Sequence, residues 1–247
     1  MPLAEWTANE LPDARAARHL ARLLNPAPVF SAHTPEADDR VDVERYIANR
    51  FEAAHGAHMH DFMPVLLTMG CAGRISAAAG IRAAARQTLF LEQYLADPVE
   101  AAVAGLAGAP VSRARIVEIG NLVATQGGSS YLLFLLLTAI LGQAGFEWVV
   151  FTATPQVRKA LDTLGLPVDV LCAADPSRLT QSSAAEWGRY YASSPVVVAG
   201  NVADAMPVLH RRSLYAGVLS LYRAAIAELA LVVARESLRR GTCTFAA

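Results

Sequence analysis

The sequence predicts an α+β (mixed α/β) protein in which a central mixed sheet is flanked by helices and followed by a long C-terminal helix. Three observations support this prediction: a hairpin pattern over residues 62–82, a strand–turn–helix–strand unit over 113–154, and an apolar helical stripe beyond residue 204. An antiparallel hairpin followed by a parallel βαβ unit builds a mixed sheet. We therefore expect residues 1–203 to form one domain and residues 204–247 to form a C-terminal helical extension.

Composition and charge restrict the class of protein. The chain has 247 residues, 54% of them hydrophobic, so a large core is easily built. A net charge of −1 indicates neither a nucleic-acid footprint nor a polybasic membrane surface. The three cysteines are widely spread, which is typical of a reducing compartment. No secretory signal pattern is visible, and the longest apolar run is about half of the ~20 residues that a membrane span needs, so we expect a cytoplasmic protein.

The first part of the chain alternates helical and strand patterns. Residues 12–24 predict a helix, residues 29–32 a short strand, and residues 38–54 an amphipathic helix with apolar residues three or four positions apart. The hairpin of residues 62–82 turns at a glycine-containing break. A further helix is predicted from Pro98 to about residue 106, because proline suits the first turn of a helix.

The central unit consists of a strand over 115–124, a small-residue turn over 125–130, an apolar helix over 131–143 and a strand over 148–153. Its strands should be parallel, with a right-handed crossover. A glycine turn at the start of a helix leaves backbone N–H groups free to bind an anion. We therefore expect a ligand between the two strands of this unit.

The remainder of the chain repeats the alternation of helix and strand. The patterns predict a helix over 155–164, a strand over 168–172, a helix over 182–192, a strand over 195–199 and a helical tail over 204–240.

Four short motifs together resemble the bacterial thermostable haemolysin family, and the match extends over about residues 28–202. The motifs are LFLEQYL at 89–95, IVEIGNL at 116–122, WVVFTAT at 148–154 and WGRYY at 187–191. The fold of that family is similar to acyltransferases of the N-acetyltransferase-like (GNAT) class and to acyl-homoserine-lactone synthases. The resemblance therefore implies that residues 1–203 form a GNAT-like acyltransferase domain.

The resemblance also implies a catalytic carboxylate. In the related enzymes a glutamate on the central strand helps to activate an amine, and Glu118 occupies the similar place here. Burial in a cleft would raise the pKa of this carboxyl group and make it an effective base. The alternative is a structural ion pair between Glu118 and Arg113 or Arg115 at the strand edge.

Other candidate residues surround this position. Glu92 and Asn121 are further catalytic candidates, although Glu92 could be solvated and Asn121 could satisfy a backbone group at the strand end. The candidates for contact with the acyl donor lie in the strand ends and the turn, and they are Leu122, Val123, Gln126, Gly127, Gly128, Ser129, Ser130, Thr152 and Thr154. The alternative for the turn is an ordinary loop with a serine helix cap.

Two departures from the related enzymes leave the donor open. The turn keeps its glycines but lacks an arginine, and Leu161 occupies the position of a tyrosine acid that many GNAT enzymes carry. Acyl-CoA, an acyl-carrier protein and an acyl-adenylate all remain candidate donors, and no tightly bound cofactor is expected.

The histidines at 55, 58 and 60 with Asp61 match no metal-ligand spacing, so a polar loop and no metal site are predicted. The aromatic residues Trp187, Tyr190 and Tyr191 are predicted to serve packing.

The sequence thus predicts an acyltransferase that moves an acyl group onto an amine of a small molecule such as an amino acid. The sheet should splay between strands 115–124 and 148–153 to admit the acyl chain. One alternative is a membrane-active lytic protein that uses residues 213–236, and another is a non-catalytic GNAT-like subunit. An acyl-carrier protein or acyl-activating enzyme would be a partner, and the C-terminal stripe could pair two copies into a homodimer.

Overall fold

The computed structural model describes residue 24 and residues 26–124, 129–180 and 185–238. Within these residues, seven strands form one sheet in the order β1-β2-β3-β4-β5-β7-β6. The strands are β1 (Val29–His33), β2 (Val65–Cys71), β3 (Arg74–Ala83), β4 (Ile116–Ala124), β5 (Trp148–Ala153), β6 (Asp169–Ala173) and β7 (Val196–Asn201). The α-helices are α1 (Arg40–His55), α2 (Val99–Ala107), α3 (Ser129–Gln143), α4 (Pro155–Leu164), α5 (Val202–Arg211), α6 (Ser213–Leu221) and α7 (Arg223–Leu238).

Strand directions confirm the predicted mixed sheet. The strands from β1 to β4 pair antiparallel in chain order, β4 pairs with β5 in parallel, and β7 pairs antiparallel with both β5 and β6. The parallel pair is the βαβ unit predicted from the sequence, with α3 as its connection. This unit lies at the centre of the sheet.

One face of the sheet is covered by α3 and the C-terminal helices. Ten of the fifteen residues of α3 are buried, which is typical of a helix enclosed on all sides. They share one apolar cluster with sheet residues such as Val117 and Phe151 and with Leu229 and Val233 of α7. The C-terminal helices therefore belong to the main core. The division of the chain at residue 203 stays a prediction.

The opposite face carries two separate apolar clusters. Near β2, α1 buries Val43 and Ile47 against the sheet. Near β5, a 3-10 helix (Phe90–Tyr94) and α2 cover Trp148 and Val150. The region between these clusters is where the sheet remains partly open.

Two helical predictions differ from the structure, and a third lies outside the described residues. The predicted tail is divided into α5, α6 and α7, with a bend of 70° between the last two. The bend follows from Tyr222, whose hydroxyl donates to the carbonyl oxygen of Pro28 at 2.9 Å and whose ring contacts Phe30. The predicted helix 12–24 falls outside the described residues except for Leu24.

The predicted helix 182–192 is interrupted in its described part. Residues 185–189 lead into a 3-10 helix, Tyr190–Ser193. Gly188 takes a φ of +52° because its backbone lies against α1: a Cβ there would be 2.4 Å from the carbonyl oxygen of His55. Packing between distant backbones thus overrides the local helical pattern.

Candidate active site

A cavity of about 360 Å³ lies between the two clusters on the α1 face of the sheet. Its lining comes from α1, the loop before β2, β3, β4, β5 and the 3-10 helices. The lining includes Phe51, His55, His58, His60, Asp61, Met63, Arg82, Phe90, Tyr94, Glu118, Asn121, Leu122, Thr152, Thr154, Trp187, Tyr190 and Tyr191. The cavity therefore brings together residues separated by more than half of the chain.

The cavity lies where β4 and β5 separate. Their parallel pairing stops at the pair Ile119–Phe151, although β4 continues to Ala124 and β5 to Ala153. The predicted splay between these strands is therefore present. The strand β4 bends at Asn121, which has a φ of +48°, and the register of β4 against β3 shifts at the same place.

Asn121 stabilises this bend through its side chain. Its Oδ1 accepts a hydrogen bond from the backbone N–H of Met63 at 2.9 Å, and its Nδ2 donates to the carbonyl of Asp61 at 3.4 Å. The amide is therefore engaged with the loop before β2, as the structural alternative from the sequence required. We propose that Asn121 shapes the site and leaves the chemistry to its neighbours.

Two glycines on neighbouring strands make room for Met63 on the floor of the cavity. A Cβ on Gly80 would lie 2.8 Å from the Met63 Cβ, and a Cβ on Gly120 would lie 2.4 Å from its Cε. No sequence pattern predicted a role for Met63. The only local signal was a glycine in each of two strands, which indicates close approach of another chain segment.

Glu118 lies at the base of the cavity and is 3% exposed. Its two carboxylate oxygens accept hydrogen bonds from the backbone N–H groups of Phe90 and Leu91, each at 3.0 Å. The nearest cationic group is Arg82, whose Nη1 is 3.9 Å from Oε2. The sequence-based alternative was wrong about the arginines, because Arg113 pairs with other glutamates and Arg115 with Glu147.

The environment of Glu118 raises its pKa. Desolvation by burial is the largest cause, and it exceeds the lowering effects of Arg82 and of the two backbone hydrogen bonds, so that the pKa is about 7. A carboxylate with this pKa can take and return a proton near neutral pH.

Glu92 has a different environment and does not line the cavity. It forms a bidentate pair with Arg113, with N–O distances of 2.6 and 2.7 Å, and accepts from the backbone N–H groups of Leu89 and Val99. Burial alone would raise its pKa, but these hydrogen bonds outweigh burial and lower the pKa to about 2. We propose that Glu92 is structural, in contrast to the catalytic role predicted from the sequence.

An aromatic wall closes the other side of the cavity. We use this name for Phe51, Phe90, Tyr94, Trp187, Tyr190 and Tyr191, whose rings contact one another. The hydroxyls of Tyr94 and Tyr191 are hydrogen-bonded to each other, and burial raises the pKa of both tyrosines. Sequence patterns predicted packing for three of these residues but did not indicate that they surround a cavity.

The predicted donor-contacting residues are distributed around the splay. Leu122 and Thr152 line the cavity, and Thr154 does so while its hydroxyl caps α4 by accepting from the backbone of Val157 at 3.4 Å. Val123 instead lies in the α1 cluster.

The predicted anion-binding turn is only partly described. Gln126, Gly127 and Gly128 lie outside the described residues. Ser129 begins α3 and is buried, and within the described part of the chain its hydroxyl has no hydrogen-bond partner; Ser130 follows it and is partly buried.

A second, smaller cavity of about 50 Å³ lies on the α3 face of the sheet. Its lining is mainly apolar, and Phe134, Leu137 and Leu161 contribute to it from α3 and α4. It shares Ile119, Leu122 and Phe151 with the first cavity. The two cavities thus meet at the splay of β4 and β5.

Comparison with solved structures identifies the fold as that of GNAT-like synthases. The acyl-homoserine-lactone synthase LasI aligns with a TM-score of 0.51 at 14% identity, covering 75% of this chain and 95% of LasI. FeeM, an N-acyl amino acid synthase from uncultured soil microbes, aligns with a TM-score of 0.50 at 15% identity, over 74% of this chain and 95% of FeeM. BjaI, a CoA-dependent acyl-homoserine lactone synthase solved with MTA, aligns with a TM-score of 0.50 at 12% identity, and the alignment covers 83% of this chain and 100% of BjaI.

The sequence itself defines the family. Residues 33–206 match the family described as Thermostable hemolysin, so the chain belongs to that family, as its four motifs indicated. Among curated proteins, none matches this sequence.

Proposed function

We propose that this protein is an N-acyltransferase that moves an acyl group from a thioester or acyl-adenylate onto an amine of a small molecule such as an amino acid. The observation that carries the proposal is the position of Glu118, a buried carboxylate with a pKa of about 7 at the base of a cavity where two parallel strands separate. A proton acceptor is needed there because an ammonium group is not a nucleophile.

The proposed reaction has one nucleophilic step. Glu118 accepts a proton from the ammonium group of the acceptor, and the free amine attacks the acyl carbonyl of a thioester. A C–N bond forms, the C–S bond breaks, and the thiol leaves with a proton. That proton is the second one of the attacking nitrogen, which loses it as the C–S bond breaks, so the only proton released overall is the one that Glu118 accepted. The hydroxyls of Tyr94 and Tyr191 line the same cavity and stay protonated at neutral pH, because burial raises the pKa of both.

Three features support an acyl thioester as the donor. The N-terminus of α3 follows the glycine turn and supplies a dipole for a phosphate group. The apolar cavity behind the splay adjoins the main cavity and, at about 50 Å³, offers space for the end of an acyl chain that passes between β4 and β5. BjaI, which shares the fold, is CoA-dependent by its own description. Acyl-CoA is therefore the first donor to test, with acyl-carrier protein and acyl-adenylate as the other donors.

The donor can be tested by native mass spectrometry and thermal shift with acetyl-, octanoyl- and dodecanoyl-CoA. We expect one bound acyl-CoA per chain and a rise in melting temperature that is larger for the longer chains. Free coenzyme A is the control for binding through the phosphates alone. If no acyl-CoA and no acyl-carrier protein binds, and no acyl-adenylate is consumed, the protein is not an acyltransferase of this kind.

The second candidate function is membrane lysis, which the description of the family suggests. No single described helix is long and apolar enough to cross a bilayer, but α6 and α7 pass that test together, as a bent pair, by length and composition. In the folded chain this pair buries Leu214, Ile226 and Val233 in the core. Dye release from liposomes by the native protein, absent from a heat-inactivated sample, would support lysis and weigh against the acyltransferase proposal.

A further inference from the structure

Arg82 is a buried cation whose charge is incompletely paired by its surroundings. It is 9% exposed and lies opposite Glu118 in the register of β3 and β4. Its Nη2 donates to the Asp61 carboxylate at 3.3 Å, while its Nε, within the described part of the chain, has no hydrogen-bond partner. Glu118 stands 3.9 Å away, beyond hydrogen-bonding distance.

Asp61 neutralises this charge only weakly. Its side chain is 78% exposed, so water and salt screen its attraction for the guanidinium group. A buried guanidinium group needs acceptors, because the loss of its hydration is costly. Because Arg82 lines the cavity, an acceptor from outside the chain can reach its guanidinium group there.

Another buried arginine, Arg40, is paired differently from Arg82. Arg40 is 7% exposed and donates to the carbonyl oxygens of His33, Met63 and Pro64 and to the carboxylate of Glu44, at 2.6 to 3.0 Å. The donors of Arg40 are thus used by the protein itself. Arg82 differs because it lines the cavity.

We propose that Arg82 binds the carboxylate of an α-amino acid acceptor and thereby directs the α-amine of that acceptor to Glu118. This inference rests on the acyl transfer proposed above and specifies its acceptor. In an α-amino acid the amine and the carboxylate are separated by a single carbon atom. Arg82 and Glu118 lie side by side on neighbouring strands, so one ligand of this kind reaches both. A guanidinium group also matches the planar geometry of a carboxylate.

The aromatic wall defines the side chain of the acceptor. With the amine at Glu118 and the carboxylate at Arg82, the side chain extends into the part of the cavity lined by Phe51, Phe90 and Trp187. Aromatic rings favour apolar and aromatic groups. The acceptor class is therefore an α-amino acid with an apolar or aromatic side chain. The ammonium proton passes to Glu118, the amide C–N bond forms as the C–S bond of the donor breaks, and the thiol leaves with the second proton of the nitrogen. The carboxylate remains unchanged in an N-acyl amino acid product.

The test compares acceptors that differ only by the carboxylate. L-phenylalanine and L-leucine are each paired with the amine that lacks the carboxylate, 2-phenylethylamine and isoamylamine, with octanoyl-CoA and octanoyl-carrier protein as donors. We expect kcat/KM to be at least about 100-fold higher for the amino acids, because a buried cation rejects a ligand that leaves it unpaired. In R82Q this ratio should fall to near one, mainly through a higher KM for the amino acids.

The ratio isolates carboxylate binding from other effects of the substitution. Loss of the Arg82 charge also alters Glu118, but equally for both members of each acceptor pair. R113Q is the matched control, because Arg113 pairs with Glu92 outside the cavity, and it should retain the wild-type ratio. R82K keeps the positive charge but lacks the paired N–H donors of the guanidinium group, so it should retain part of the preference for amino acids. It replaces R82Q as the test variant if R82Q does not fold.

The outcomes separate this inference from the function on which it rests. A wild-type ratio near one, or an unchanged ratio in R82Q, overturns the role of Arg82 while acyl transfer stands. If no acceptor is acylated, the proposed function fails, and titration calorimetry with L-phenylalanine then judges Arg82 alone. If L-phenylalanine binds to the wild type and to R113Q but not to R82Q, the carboxylate site is supported. If it does not bind to the wild type, the carboxylate site is overturned.

Discussion

Glu118, which is buried, and Glu92, which is half-buried, both accept hydrogen bonds from the backbone around the 3-10 helix Phe90–Tyr94. Glu92 accepts from Leu89 and Val99, and Glu118 accepts from Phe90 and Leu91. The difference between the two lies in the distance to an arginine. The Arg113 Nη2 is 2.6 Å from Glu92, whereas the Arg82 Nη1 is 3.9 Å from Glu118.

This difference sets the protonation of the two side chains. Direct, bidentate contact with Arg113 stabilises ionised Glu92 and places its pKa at about 2. The more distant Arg82 only partly offsets the burial of Glu118, whose pKa rises to about 7. We therefore propose that Glu92, which its arginine contacts directly, is structural, and that Glu118, which has a gap next to it with room for a substrate, is reactive.

The largest expected difference between the two glutamates is in catalysis. E118Q removes the proton acceptor and should lower kcat by about 10²- to 10⁴-fold. E92Q should keep kcat within about threefold of the wild type, because Glu92 does not line the cavity. Single-turnover transfer from the donor identified by binding measures both rates.

The folded state of each variant is compared by circular dichroism, so that a loss of rate is not mistaken for a loss of structure. Full activity in folded E118Q would remove Glu118 as the base. Equal losses in both variants would erase the distinction between a structural and a reactive glutamate.

The next expected effect is on stability, and here E92Q rather than E118Q should be the variant with the larger loss. E92Q weakens a partly buried ion pair and should lower the free energy of unfolding by about 1–3 kcal/mol. E118Q should leave it unchanged or raise it at pH 8, because the substitution removes a buried charge but also removes one acceptor of a backbone N–H group. Glu118 has a folded pKa above its unfolded value, so the wild type loses stability as the pH rises from 4.5 to about 7, and glutamine avoids that loss. Urea unfolding at pH 8 measures both variants, and a less stable E118Q than E92Q would contradict the comparison.

Sequence patterns predicted the central unit of the fold because its signals are local. The apolar run of α3, the proline and the glycine at the two ends of α4, and the small residues before Ser129 all act within a few positions of the chain. The position of Glu118 beside the splay followed from the same unit and from the family motifs.

The partners of the two glutamates could not be predicted, because they depend on long-range pairing. Arg113 and Arg115 were the predicted ion-pair partners of Glu118 because they are its neighbours in the chain. The cation next to Glu118 is instead Arg82, which lies opposite it in the pairing of β3 with β4. The one available signal was Arg82 itself, a charged residue that follows the apolar run of β3. The aromatic wall was even harder to predict from the sequence. The backbone of Gly188, next to Trp187 in the chain, lies against the end of α1, and this contact joins segments that are more than 130 residues apart.

The smallest effect lies in the pH dependence of the rate. If ionised Glu118 is the base, kcat/KM should fall about tenfold per pH unit below a midpoint near pH 7, because protonation removes the base. E92Q should keep this midpoint, since the pKa of Glu92 is about 2 and lies far below the range measured. R82Q should move the midpoint to higher pH, because the positive charge of Arg82 lowers the pKa of Glu118. The titration of the acceptor amine is the same in all three enzymes, so differences between their profiles come from Glu118. A midpoint common to the wild type and R82Q would show that another group controls the rate.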